Sequence, residues 1–163
     1  MISGRRLCKP IVLALLATLI VLLSRGYWHD PHLARDSRML AINAQAEQFS
    51  KGQVLLVGDS TAERFHLTEI CGLEVLNAGV GRAKASEIEP LAKRLRTELE
   101  PSILIVSGGM NDEMPYAAAL LLDTSLKPSF SVMPDYGDRP DGKHLSAASY
   151  RALKMQIVNE LCP

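Results

Sequence analysis

The sequence predicts an α/β fold on a small parallel sheet, preceded by an apolar N-terminal segment that stands outside it. Three observations carry this. Short apolar runs of strand length, Val54 to Val57, Leu73 to Leu76 and Ile103 to Val106, alternate with stretches of helical periodicity. Such alternation implies parallel strands joined by right-handed crossovers. Each run gives way to glycine and small polar residues, as when a buried strand delivers polar groups to the rim of a sheet. Lastly, Arg5, Arg6 and Lys9 precede an uncharged stretch from Pro10 through Ser24, and flanking charges of that kind have no place in a core.

The 163 residues allow one folded domain beside that segment. Residues 1–28 read as a signal anchor or transmembrane segment. Leu7 to Trp28 is about long enough to cross ~30 Å of hydrocarbon, with Tyr27 and Trp28 suited to the interface. No small-x-small site and no lipid-accepting cysteine follows the leucines, so a retained anchor is preferred to secretion after cleavage. The basic cluster puts the N-terminus in the cytoplasm and the rest outside it, in the periplasm if the source is bacterial.

Residues 29–52 read as a juxtamembrane helix and linker. His29 and His32 flank Pro31 with no third ligand at helical spacing, so no metal is expected. From Arg35 to Phe49, the apolar positions Met39, Ile42, Ala46 and Phe49 lie on one helical face. Ser50, Lys51 and Gly52 end the helix, with Gly52 free to take a left-handed cap.

The domain proper spans 53–163. After the strand at Val54 to Val57, Ala62 to Ile70 reads as a short helix. Cys71 and Gly72 turn the chain into the strand Leu73 to Leu76. Ser86 and Glu89 have capping-box spacing, and Ile88, Leu91, Leu95 and Leu99 form the stripe of a helix that Pro101 ends, with Pro90 in its first turn. The strand Ile103 to Val106 follows. From Met114 to Pro140 the pattern allows a helix at Tyr116 to Leu122 and a short strand at Ser129 to Met133. A last helix starts at Ser146 and presents Tyr150, Leu153, Ile157 and Leu161 on one side.

Charge is balanced, 18 basic residues against 18 acidic, which gives no footprint for nucleic acid. Of the three cysteines, Cys8 falls at the anchor, whereas Cys71 and Cys162 lie in the exported part, where a disulfide persists. A Cys71 to Cys162 bridge is expected; two buried thiols are the alternative.

In an open parallel sheet, ligands bind outside the carboxyl ends of the strands. Four polar groups are expected at that rim: Gly58-Asp59-Ser60, Asn77 to Gly81, Gly108 to Asp112, and Asp141 to His144. A serine hydroxyl becomes a nucleophile once a base takes its proton, and His144 stands beside a carboxylate at the entry to a helix. Asp141, three residues earlier, is placed to fix the imidazole tautomer. Oxyanion donors would be the N–H of Ser60, an N–H of the Gly79 to Arg82 turn and the Asn111 amide. No cofactor is expected: Gly79-Val80-Gly81-Arg82-Ala83-Lys84 lacks the third glycine of a dinucleotide fingerprint.

These blocks, in this order over Val54 to Tyr150, resemble the SGNH or GDSL hydrolase family. The resemblance rests on Gly58-Asp59-Ser60, Asn77-Ala78-Gly79-Val80-Gly81, Gly109-Met110-Asn111-Asp112 and Asp141-Gly142-Lys143-His144-Leu145. It implies a flavodoxin-like three-layer sandwich, Ser60 as nucleophile, His144 as base, Asp141 as its orienter, and an oxyanion hole from Ser60, the second-block glycine and Asn111. Where many members carry that glycine, this chain has Arg82, and Gly81 is the nearest glycine. The 112–140 interval is too short for two further strand-and-helix units, which predicts a sheet of about four strands. The implied function is an esterase or deacylase acting on a small-molecule, glycan or lipid ester outside the cytoplasm. The alternatives are an O-acyltransferase to a sugar hydroxyl and a degenerate glycan- or protein-binding domain. Oligomeric state is not encoded in any of these features.

Overall fold

A computed structural model describes residues 12–21, 31–107, 110–111, 129–132 and 136–162. The rest of the expected anchor, the helix expected at Tyr116 to Leu122, and the rim residues Gly108, Gly109 and Asp112 lie outside the described residues. The chain forms two units, Met1–Arg38 and Met39–Pro163. In the first, residues 12–21 form helix α1, whose side chains are exposed, among them Leu13, Leu16 and Ile20. No helix among the described residues is long and apolar enough to cross a membrane. Helix α2, Pro31–Ala46, begins in this unit and ends in the second.

The second unit is a mixed α/β structure on a five-stranded, mostly parallel sheet. In chain order the strands are β1 (Val54–Gly58), β2 (Glu69–Ile70), β3 (Leu73–Gly79), β4 (Ile103–Ser107) and β5 (Phe130–Val132). In space their order is β2-β3-β1-β4-β5. Every residue of β1 is buried, which is why this central strand reads as a continuous apolar run rather than an alternating one. Its side chains still alternate between faces. Leu55 and Val57 join Leu76, Ala78, Leu104 and Val106 in one core, packed under Ile42 and Ala46 of α2 and helix α4, Ala85–Leu99. Val54 and Leu56 join Ile105, Phe130 and Val132 in the other, under helix α5, Ala147–Leu161, and the segment around helix α3, Ser60–Glu63. The sheet thus has an apolar core and helices on each face.

Several expectations need correction. The sheet has five strands rather than about four, and it is not wholly parallel, because β2 pairs antiparallel with β3. Part of the expected helix Ala62 to Ile70 is this strand: α3 ends at Glu63, and Glu69 and Ile70 fold back on Glu74 and Leu73. Cys71 and Gly72 both have positive φ, 51° and 75°, the conformation that a two-residue hairpin loop requires. Such a turn reverses the chain, and the residues before it gain a partner that helical spacing cannot reveal. Helix α4 is capped at Lys84, whose backbone N–H donates to Glu87 Oε2, so the box lies two residues earlier than Ser86 and Glu89. Pro90 consequently sits past the first turn. Helix α2 stops at Ala46, and left-handed Gly52 donates instead to the Leu99 carbonyl at the end of α4.

Candidate functional site

The three parallel strands β1, β3 and β4 end level with one another, Gly58 opposite both Gly79 and Ser107. The chain leaves β1 for β3 on one side and returns past β1 to β4 on the other, so strand order reverses about β1. The crevice at such a reversal is where open α/β sheets bind ligands. Gly58 and Gly79 make this rim tight. A Cβ on Gly58 would lie 1.8 Å from the Ser107 carbonyl oxygen, and one on Gly79 2.1 Å from the Glu63 nitrogen.

Ser60 opens α3 directly beyond β1 and is half-buried. Asp59, wholly buried, caps α3: its Oδ1 accepts from the Thr61 N–H at 2.8 Å. Asn77 holds the other end of the short helix, donating to the carbonyls of Ala62 (2.8 Å) and Phe65 (3.0 Å) and accepting from the Gly79 N–H (2.9 Å). Four residues do not sustain a helix alone, so these side chains set where Ser60 stands.

A closed circuit of hydrogen bonds joins the three loops. Val80 N–H donates to the Gly58 carbonyl (2.9 Å), and Asp59 N–H to the Ser107 carbonyl (3.2 Å). Met110 N–H donates to Asp59 Oδ2 (3.3 Å), and Asn111 Nδ2 to the Ala83 carbonyl (3.1 Å). Ala83 N–H returns to the Val80 carbonyl (3.2 Å). Among the described residues, the backbone N–H groups of Ser60, Gly81 and Arg82 meet no backbone acceptor outside helices and strands and no side-chain acceptor. Asn111 keeps one amide hydrogen beyond its bond to Ala83. Arg82 is left-handed, φ 61°, and the Glu63 carboxylate lies against Gly81.

The second half of the site is the loop before α5. Asp141 Oδ1 accepts from the backbone N–H groups of Lys143 (2.9 Å) and His144 (2.6 Å), while Oδ2 meets His144 Nδ1 at 2.6 Å. The His144 N–H, the imidazole and the Lys143 N–H together hold the Asp141 carboxyl well below the usual carboxylate range. With Nδ1 engaged by Asp141, Nε2 is the ring nitrogen left for a second partner. Arg139 Nη1 donates to the Lys143 carbonyl. Ser146 caps α5 through the Ser149 N–H (3.1 Å), and the Asp138 carbonyl accepts from Ser146 N–H (2.8 Å).

This loop is fastened towards α3. Leu145 is buried in the same core as Ala62 and Phe65, Tyr150 stacks on Phe65 at 5.5 Å, and the Tyr150 hydroxyl donates to the Thr61 carbonyl at 3.0 Å. Burial raises the Tyr150 pKa against the opposing pull of Arg64 and Arg139, and the Asp59 charge adds the smallest contribution. Asp141 and His144 are therefore brought together, and Ser60, Gly81, Arg82 and Asn111 share one strand rim. Among the described residues, no hydrogen bond joins Ser60 to the His144 imidazole.

Asp59 and Asn77 figured in the sequence only as members of motifs, and Tyr150 only as an apolar-face residue. Helix-cap chemistry at Asp59, an acid directly before a helix start, is the one local pattern that marks any of their roles. No protein-family model, no curated protein and no solved structure matches the chain.

Proposed function

We propose that the chain is a serine hydrolase of the SGNH type, an esterase or deacylase with a flavodoxin-like three-layer domain. Its substrate would be an ester-linked acyl group of a glycan or lipid outside the cytoplasm. The observation that carries this is the Asp141–His144 pair, 2.6 Å apart, in the loop before α5, the helix whose Tyr150 hydroxyl bonds the Thr61 carbonyl of the helix that Ser60 begins. In the mechanism, Ser60 Oγ attacks the ester carbonyl carbon while His144 Nε2 takes the hydroxyl proton and Asp141 steadies the imidazolium. The N–H of Ser60, that of Gly81 or Arg82, and the Asn111 amide receive the developing oxyanion. The imidazolium then returns its proton to the departing alcohol, leaving an acyl-serine. Water, deprotonated by His144, releases the acid and restores Ser60.

Exposed apolar side chains on residues 12–21, after Arg5, Arg6 and Lys9, support a retained anchor at the N-terminus. The test uses full-length protein in mild detergent with a short activated ester and a fluorophosphonate probe. Ester turnover and labelling at Ser60 are expected, with turnover lowered about 10³-fold or more by Ser60→Ala. Equal turnover by the variant defeats the reading. The missing hydrogen bond between Ser60 and His144 favours a second reading, a domain that binds a glycan or protein without chemistry. Failure of the probe to label the wild-type protein would select it.

A further inference from the structure

We propose that Asp59 is a positioning residue for the oxyanion donors, its carboxylate setting where Asn111 stands relative to Ser60. This rests on the acyl-transfer reading of the site and adds to it a residue with no direct part in the bond changes. Asp59 is 0 % exposed, an environment that disfavours a carboxylate unless its oxygens are occupied.

Capping α3 occupies only one of them. Oδ1 accepts from Thr61 N–H, a task that asparagine or serine performs about as well. Oδ2 crosses to the neighbouring strand's loop and accepts from Met110 N–H, while the Asp59 backbone N–H holds the Ser107 carbonyl of the same strand. A single residue thus grips β4 and the loop after it at two points, and that loop carries Asn111 one residue on. The far side of Asn111 is tied through Nδ2 to Ala83, in the loop that supplies Gly81 and Arg82. Only a side chain with two acceptor oxygens and no donor serves Thr61 and Met110 together. Asparagine at this position would turn a second donor towards one of the two N–H groups. Since a misplacement of about 1 Å costs on the order of 10²-fold in rate, the second oxygen has a catalytic consequence that capping lacks.

The experiment compares full-length wild type, Asp59→Asn, Asn111→Ala and the double variant in detergent, by the second-order rate of fluorophosphonate labelling at Ser60. Asp59→Asn is expected to slow labelling about 10- to 100-fold. The double variant is expected within about threefold of Asn111→Ala alone, because both changes remove the same donor. Independent, multiplying losses would overturn the proposal, as would wild-type labelling in Asp59→Asn.

Asp59→Ser retains a capping hydroxyl but is too short for Met110. It is expected to behave like Asp59→Asn and replaces it in the comparison if the asparagine variant does not fold. Hydrogen exchange read by NMR supplies a measure independent of chemistry. The Met110 amide should exchange about tenfold faster in Asp59→Asn, with the Thr61 amide unchanged, and equal Met110 exchange overturns the proposal. A wild-type protein that is never labelled defeats the acyl-transfer reading and the catalytic role of Asp59 with it. A labelled wild type matched by Asp59→Asn defeats the role of Asp59 alone.

Discussion

Asp141 keeps its charge in acid because the folded loop aims the His144 N–H, the His144 imidazole and the Lys143 N–H at its oxygens, and the unfolded chain does not. A carboxyl whose folded pKa is depressed contributes stability that is fully present above its unfolded value, about 3.9, and is lost as pH falls through the folded one. Asp141→Asn should therefore lower the melting temperature by a constant amount from neutral pH down to about pH 4, and by progressively less below it. Thermal melts from pH 7 to pH 2 check this; a gap that widens in acid would contradict the sign. Arg82 illustrates a different local cost. A left-handed φ of 61° is disfavoured by about 1–2 kcal/mol for a residue with a Cβ, at a position where the resemblance leads one to expect glycine. Arg82→Gly relieves that strain but adds freedom to the unfolded chain, so a gain of up to about 1 kcal/mol is expected from the urea midpoint. A clear loss would mean that the Arg82 side chain makes a stabilising contact.

At the scale of elements, the β2–β3 hairpin is where local pattern failed and a longer tie took over. Cys71, in its turn, is bonded to Cys162 at the end of α5, with Cα atoms 5.3 Å apart and a sequence separation of 91. A loop of that size gives a chain-entropy stabilisation of about 4–5 kcal/mol, and measured losses on removing native bridges run about 2–5 kcal/mol. The Cys71→Ser/Cys162→Ser pair should lose stability within that range by urea denaturation, while retaining the α5 N-cap at Ser146. A loss under about 0.5 kcal/mol would show that the apolar packing of Leu153 and Ile157 holds α5 unaided. The consequence reaches the site, because α5 starts two residues after the His144-Leu145 step and bears the Tyr150 that binds the Thr61 carbonyl.

For the whole molecule, two cores on opposite faces of one sheet explain why β1 is buried throughout and why its polar end emerges only at the rim. Ile42 and Ala46 of α2 complete one of those cores, so the helix read as a link to the domain also packs within it. If the proposed anchor is retained, the full chain should stay with the membrane fraction after an alkaline carbonate wash and leave it only with detergent. Release by the wash would remove the anchor from the proposal.

Much of this arrangement was legible in the residues. The runs at Val54, Leu73 and Ile103, the α4 stripe of Ile88, Leu91, Leu95 and Leu99, the α5 face of Leu153 and Ile157, and the spacing of Asp141 to His144 all depend on neighbours within a few positions. Periodicity and turn chemistry record such relations directly. The order β2-β3-β1-β4-β5, the return of Glu69 and Ile70 onto β3, the Asn77 tie to Ala62 and Phe65, and the Asp59 bond to Met110 were decided by tertiary structure alone. Each joins groups whose meeting depends on how strands are set side by side, and no local spacing encodes which backbone N–H a buried carboxylate will find across a sheet.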